Sequence, residues 1–414
     1  MLIRDFTERS VGLVRARSLY RAAGAIGRAS YVTKRNKHAE WDLRTWVSAS
    51  GPSRRPQKWR RQICDAVLAW STAGCSFEEG RERVEEALKE SRAERITARE
   101  LLGVRLLVGS VGFFTLTEGL LERAVDRALQ DFDASPSRWS ARNAFAARLL
   151  RREVDQVAEP LEFLMKSETL GDPELVISFI ELCRTQRQPC LDGDQVTIVG
   201  PGPIGALGEN FNPSLPVCRV VMPGVTSWPK DDIVGGRAEI GYLNGHSTRW
   251  LSSLSPADRH SLVRSFSTLR IKRATSWESD YPSVSQVRRI KDLFLTGEPN
   301  MVPIAVVDQV IGGASRVYVT GTSFFVGAEP YRVTDRRHFY EVGSGSDSFG
   351  AVYDGSFERC YSHASHDQIV NRAVVRLLFD SGCVVGDELF TNALMMSDND
   401  YLSELEDVYG RSRR

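Results

Sequence analysis

The stretch from Asp194 to Phe211, DQVTIVGPGPIGALGENF, constrains this chain more than any other. Gln195 to Val199 is a short apolar run rich in β-branched residues, which suits a strand buried on both faces. A turn dense in glycine and proline follows at once: Gly200, Pro201, Gly202, Pro203 and Gly205. A strand running into such a turn is how open α/β sheets present backbone N–H groups to a phosphate. Glycine lets the main chain approach a ligand because no Cβ stands in the way. Gly200, Gly202 and Gly205 satisfy the G-x-G-x-x-G spacing of a dinucleotide turn. The acidic residue that should hold a ribose at the end of the next strand is absent, since Val217 to Met222 ends in Pro223-Gly224. Two readings stay open: the phosphate end of a Rossmann-like domain, or a plain connection after a buried strand.

The rest of the chain changes character on either side of this stretch. From about Gln57 to Leu182 apolar residues recur at helical spacing, as in Ala66, Val67, Trp70 and then Val84, Ala87, Leu88. Asp133-Ala-Ser-Pro136 predicts a new helix, with Ser135 as its cap and Pro136 at its first position. After Pro189 to Asp194 strands and helices alternate. Strands are expected near 195–200, 217–222, 237–243, 267–272 and 316–320. Helices are expected near 285–295, 302–312 and 367–380. That alternation signals a mostly parallel, doubly wound sheet. The fold expected is therefore an α/β Rossmann-like domain preceded by an all-α helical domain. The boundaries expected are 1–62 for a basic N-terminal segment, 63–190 for the helical domain and 191–414 for the sheet domain.

A chain of 414 residues has room for such domains, each with its own core. A formal net charge of +1 excludes a polycation overall, but residues 1 to about 62 are basic and poor in acids. Arginines there alternate with Leu2, Ile3, Phe6, Val11 and Leu13, a mixture able to lie on an anionic membrane surface. A solvated helix face and a nucleic-acid contact are the other meanings of that pattern. No apolar run approaches the length that spans a bilayer, and the first residues lack the apolar core of a secretory signal. Seven cysteines are scattered without metal-type spacing. Reduced thiols in a cytoplasmic protein, peripheral to a membrane at most, are the expectation. The helical half could serve as a platform for a protein partner.

Four further places could carry chemistry. Ile240-Gly-Tyr-Leu-Asn244 is an apolar strand ending in Asn244, and ligands in open α/β sheets bind outside the carboxyl ends of strands. Its alternative is a turn-forming Asn before Gly245. In Glu298-Pro-Asn-Met-Val-Pro-Ile, Pro303 suits a first helical turn whose N–H groups can face an anion. Arg316 to Phe325 is a buried strand running into a polar turn at Gly321, with Tyr331 shortly after. Tyr361-Ser-His363-Ala-Ser-His366 precedes a helical apolar face. The helix N-terminus keeps the His366 ring neutral, as a general base must be, while Asp367 pulls the other way.

In this order the pieces resemble the bacterial sialyltransferases that use CMP-sialic acid to extend lipooligosaccharide. The resemblance covers roughly 195 to 400. That family's G-N-G-P-S turn falls at Gly200-Pro-Gly-Pro-Ile, and its nucleotide-binding Asn at Asn244. Its T-S-G falls at Asn300-Met-Val. Its G-I-D-F-Y with a second Tyr six residues on falls at Gly321-Thr-Ser-Phe-Phe325 with Tyr331. Its S-H-x-x-x-H segment resembles the one-residue-shorter Ser362-His363-Ala-Ser-His366. The resemblance implies an inverting, metal-independent transferase that takes a CMP-sugar donor and a glycan acceptor and needs no cofactor. It implies His366 as the base and Tyr331 as donor to the leaving phosphate. Gly200, Gly202, Pro203, Asn244, Asn300, Gly321, Thr322 and Ser323 would hold the nucleotide. The sequence departs from the pattern where Pro201 replaces the turn Asn, Phe325 a phosphate-binding Tyr, and Asn300-Met-Val both hydroxyls of T-S-G. Two other classes remain: a pterin diphosphokinase-like nucleotide enzyme, and a scaffold whose sheet domain no longer turns over.

Overall fold

A computed structural model describes residues 19, 21–23, 37–48, 58–71, 75–91, 96–184, 194–224, 234, 236–296, 299–327 and 367–407. The chain forms two compact units. One comprises Met1–Ala147, Val352–Gln368 and Ser397–Arg414, and the other Arg148–Ala351 and Ile369–Met396.

The first unit is helical wherever it is described. Its helices are α1 (Lys37–Ser48), α2 (Lys58–Ser71), α3 (Phe77–Glu90), α4 (Ala98–Ser110), α5 (Thr117–Ala134) and most of α6 (Arg138–Leu150). The late helix α14 (Asp398–Leu405) returns to it and packs on α5. The sequence ARELLGVRLLVGS makes α4 apolar nearly all round, and nearly every residue of it is buried. A helix of that kind belongs at the centre of a bundle. Its two buried charges are both matched. Glu100 accepts from Arg60 Nε at 2.8 Å and from Trp46 Nε1 at 3.0 Å. Arg105, fully enclosed, pairs with Asp367. Removing either partner of such a pair strands a buried charge and costs roughly 3–5 kcal/mol.

Leu19, Ala22, Ala23, Leu43, Trp46 and Trp59 are all buried in this unit. The described part of 1–62 is thus packed into the helical body. Leu2, Ile3, Phe6, Val11 and Leu13, which carry the expectation of a basic membrane-facing segment, lie outside the described residues. The cap expected at Ser135 is also displaced. Helix α5 runs on through Ala134, and Ser137 caps α6 by accepting from the Ser140 N–H at 3.2 Å. Pro136 therefore lies before the helix, where its fixed φ ends the preceding turn.

The second unit holds a seven-stranded sheet in the order β5-β4-β3-β2-β1-β6-β7. The strands are β1 (Gln195–Val199), β2 (Val217–Val221), β3 (Ile240–Leu243), β4 (Thr268–Ile271), β5 (Val284–Gln286), β6 (Arg316–Thr320) and β7 (Val384–Gly386). Every pairing is parallel, so the sheet is wholly rather than mostly parallel. The central strands accordingly read as mainly apolar runs, and all five residues of β2 are buried, including Arg219, whose Nε donates to the Arg237 carbonyl at 2.7 Å. Five strands and the helix α11 (Met301–Ile311) fall where the sequence places them, and α12 (Gln368–Asp380) matches the helix expected at 367–380.

Three features differ from the sequence reading. Residues 285–295 are not a helix. Val284–Gln286 adds a short edge strand to β4, and Ile290–Leu293 forms one 3₁₀ turn. Ile290, Leu293 and Phe294 are buried, so the i, i+3, i+4 spacing is real. One turn satisfies that spacing as well as three do, and the edge pairing took the rest. Strand β7 and the helix α13 (Glu388–Met395) after it were not anticipated as separate elements. The third difference is the division of the chain, which falls at 147/148 and not near 190. Helices α7 (Ala158–Lys166) and α8 (Pro173–Arg184) belong with the sheet because α8 packs on α11 and on the 3₁₀ turn at 290–293.

Helix α11 shows what such burial demands. It is apolar along almost its whole length and lies on β1, β2, β3 and β6. Its one buried acid, Asp308, accepts from the Tyr242 hydroxyl at 2.7 Å and faces Arg270 Nε at 3.5 Å. Burial, then the Asp308 charge, push the Tyr242 phenol far above its ordinary pKa, so it remains a donor.

Candidate functional site

Strand order runs outward from β1 through β2, β3, β4 and β5, then returns to place β6 and β7 on the other side of β1. In open α/β sheets the crevice beyond the carboxyl ends at such a reversal is where ligands bind. Here the reversal lies between β1 and β6, which pair in register from Gln195 with Arg316 to Val199 with Thr320. Six of the expected nucleotide residues gather there. Gly200, Gly202 and Pro203 leave β1, and Gly321, Thr322 and Ser323 leave β6. Asn300, which precedes α11, stands near them, since a Cβ on Gly200 would meet Val302 Cγ2 at 3.2 Å.

The turn does not, however, offer its amides. Gly200 N–H donates to the Thr320 carbonyl at 2.8 Å and Gly202 N–H to the Gly321 carbonyl at 2.6 Å. Gly205 N–H donates to the Asp387 carboxylate at 3.1 Å. All three glycine N–H groups of the G-x-G-x-x-G spacing are thus engaged within the protein. The residues between β1 and β2 form no helix, so no helix N-terminus adds its dipole. The expectation of a phosphate seated on bare main-chain amides is corrected on both counts.

The glycines have a different reason to be there. A Cβ on Gly200 would run into the Gly321 carbonyl oxygen, and a Cβ on Gly321 into the Gly200 carbonyl oxygen. A Cβ on Gly205 would lie 2.6 Å from the Leu389 nitrogen. Gly321 also sits at φ +69°, which favours glycine. Backbone here approaches backbone, and the two loops close over the strand ends.

Asp387 ties that closure together, and sequence reasoning missed it. It follows β7 and is fully buried. One carboxylate oxygen caps α13 by accepting from the Phe390 N–H at 2.8 Å. The other accepts from Thr320 Oγ1 at 2.6 Å and from the Gly205 N–H. Glu388 N–H donates to the Ala206 carbonyl at 2.9 Å. A buried carboxylate with several donors is the strong form of hydrogen bonding. Its signal was present as an Asp followed by Glu388 ahead of an apolar run, the pattern of a helix start.

Of the remaining candidates, Ser323 donates to the Val326 carbonyl at 2.7 Å and Thr322 is half-buried. Asn300 N–H donates to Asn371 Oδ1 at 2.8 Å, which joins the starts of α11 and α12. Asn244 lies two strands away, at the end of β3. Its Oδ1 accepts from the His246 and Ser247 N–H groups at 2.9 and 2.8 Å, so it caps helix α9 (Gly245–Ser253). That is the turn-forming role that stood as the alternative for Asn244. Tyr331, His363 and His366 lie outside the described residues, as does Glu298.

No family model, no curated protein and no solved structure matches this chain.

Proposed function

We propose that the sheet unit is the ligand-binding half of a nucleotide-using transferase, which takes its donor at the carboxyl edge of the sheet. The observation that carries this reading is the reversal of strand order between β1 and β6, at which Gly202, Gly321, Thr322 and Ser323 come together. By the resemblance of residues 195–400, the donor is a CMP-activated sugar and the acceptor a glycan. In the reaction proposed, an acceptor hydroxyl attacks the anomeric carbon and the bond to CMP breaks. CMP leaves with the electron pair, and the hydroxyl proton passes to His366. Tyr331 donates to the departing phosphate. Positioning and stabilisation of the leaving charge supply most of the rate.

A second reading, binding without turnover, is favoured by the engagement of the Gly200, Gly202 and Gly205 amides within the chain. Thermal unfolding against CMP, CDP, UDP and GDP, followed by release of free sugar from a CMP-sugar, separates the two. A ligand at a hundred times its Kd stabilises by about 2.7 kcal/mol, which such a scan resolves. Stabilisation by CMP above the other nucleotides, with sugar release lost in His366→Ala, is the result expected of a transferase. Stabilisation without release points to the binding protein, and no response to any nucleotide removes both.

A further inference from the structure

We propose that a pocket beyond the carboxyl ends of β3 and β4 is a phosphate site that accepts the dianionic group of a small phosphorylated molecule. Its cavity is about 320 Å³ and is lined by Gly245, Arg249, Arg259, Arg273, Thr275 and Trp277 among others. Three elements bring the arginines together. Arg249 stands on α9, Arg259 on the following helix α10 (Pro256–Arg264), and Arg273 just past the end of β4.

None of the three meets a carboxylate among the described residues. Arg249 reaches His246 Nδ1 at 3.0 Å. Arg259 donates to the Ser252 carbonyl at 3.3 Å and lies over the Trp277 ring at 5.5 Å. Arg273 lies across the first residue of α9: a Cβ on Gly245 would fall 2.9 Å from its Nε and 3.3 Å from its Cζ. A guanidinium is thus set against the positive end of a helix, where anions are favoured and cations are not. Three like charges without counter-charge repel one another, and a dianion among them adds an attraction to each that outweighs that repulsion. Guanidinium forks match phosphate oxygens in pairs, which makes arginine the preferred residue for this group.

The pocket wall is braced for the purpose. Trp277 is buried and its Nε1 donates to Ser252 Oγ at 2.9 Å, which fixes the ring on which Arg259 rests. Thr275 Oγ1 is buried and has no hydrogen-bond partner, so a hydroxyl stands ready at the lining. The field is felt by a neighbour. Burial first, then Arg249 and Arg273, hold the His246 imidazole below its ordinary pKa. The cavity is at the small end of the range for ligand sites, which suits one phosphate with a small body attached. Nothing in this assignment depends on sugar transfer.

The test is calorimetry and thermal unfolding of the full chain with inorganic phosphate, pyrophosphate, CMP and cytidine, all at matched ionic strength. Inorganic phosphate and CMP are expected to bind and raise the unfolding temperature, and cytidine is not. Arg273→Ala and Arg249→Ala are expected to weaken phosphate at least tenfold without lowering the unliganded unfolding temperature at pH 7. Arg273→Lys should recover part of the loss. Equal affinity for phosphate and CMP would identify the bare phosphate as what is recognised. Tighter CMP would identify a nucleotide as its carrier, and both uphold the site. Phosphate binding no stronger than chloride overturns the proposal, as does binding that survives both alanine variants. Phosphate binding without nucleotide preference or sugar release would uphold this site while removing the transferase reading. CMP binding undiminished in the arginine variants would do the reverse.

Discussion

The carboxyl edge of the sheet is built in two different ways at its two sides. Beyond β1 and β6 the polar groups face one another: the Gly200 and Gly202 amides meet carbonyls, and Asp387 gathers Thr320 and Gly205. Beyond β3 and β4 the charged groups face outward, and Arg249, Arg259 and Arg273 find no carboxylate among the described residues. The first side carries the motif and satisfies itself. The second carries no motif and has charge left over. A glycine-rich turn after a strand is therefore ambiguous by nature, because close approach of backbone to backbone needs glycine as much as close approach to a phosphate does.

Matching substitutions break or sharpen that contrast. Gly200→Ala places a methyl against the Gly321 carbonyl, and neither main chain can step aside. A loss of about 3 kcal/mol or more in a urea titration is expected, in the range of severe overpacking. Asp387→Ala comes next. It leaves Thr320 Oγ1 and the Phe390 amide without their buried acceptor. At roughly 1–3 kcal/mol for each of these two stranded groups, a loss of about 2–6 kcal/mol is expected by the same measurement. Gly245→Ala meets only the flexible Arg273 side chain, so its loss should stay below about 1 kcal/mol. Equal losses for Gly200→Ala and Gly245→Ala would erase the distinction between the two sides.

The smallest effect concerns charge. The folded state holds His246 below its ordinary pKa, so the unfolded chain binds more protons. Stability from this group is fully present above the ordinary histidine pKa and declines as pH falls through it. Arg273→Ala removes one of the charges that depress it. The unfolding temperature of that variant should fall less than wild type between pH 7 and pH 5.5, and a steeper fall would count against the crowding of charge proposed there.

Much of the sheet was legible in the sequence because a fully parallel strand is an uninterrupted apolar run with turn residues at its ends. Arg316–Thr320 reads that way apart from its two end residues, and Val217–Val221 does so apart from the buried Arg219 at its centre. Val384–Gly386 did not, since three residues carry no period; only Gly382 before it and Asp387 after it marked the helix ends on either side. Val284–Gln286 was hidden by the helical spacing of Ile290, Leu293 and Phe294 just downstream. The apolar run Ile240–Leu243 placed Asn244 at a strand end, and there it caps a helix. The arginine pocket was not readable at all. Arg249, Arg259 and Arg273 stand on two helices and in the loop after a strand, and only the return of the chain from β3 through α9 and α10 to β4 brings them to one place.

Amide hydrogen exchange of the unliganded protein, read at Gly200, Gly202 and Gly205, puts the central claim to the most direct trial. If those amides serve the chain itself, they exchange slowly without ligand, and CMP slows them no more than it slows other core amides of the sheet unit. Rapid exchange in the free protein that slows at these three positions on adding CMP would contradict the account and restore the turn as a phosphate cradle.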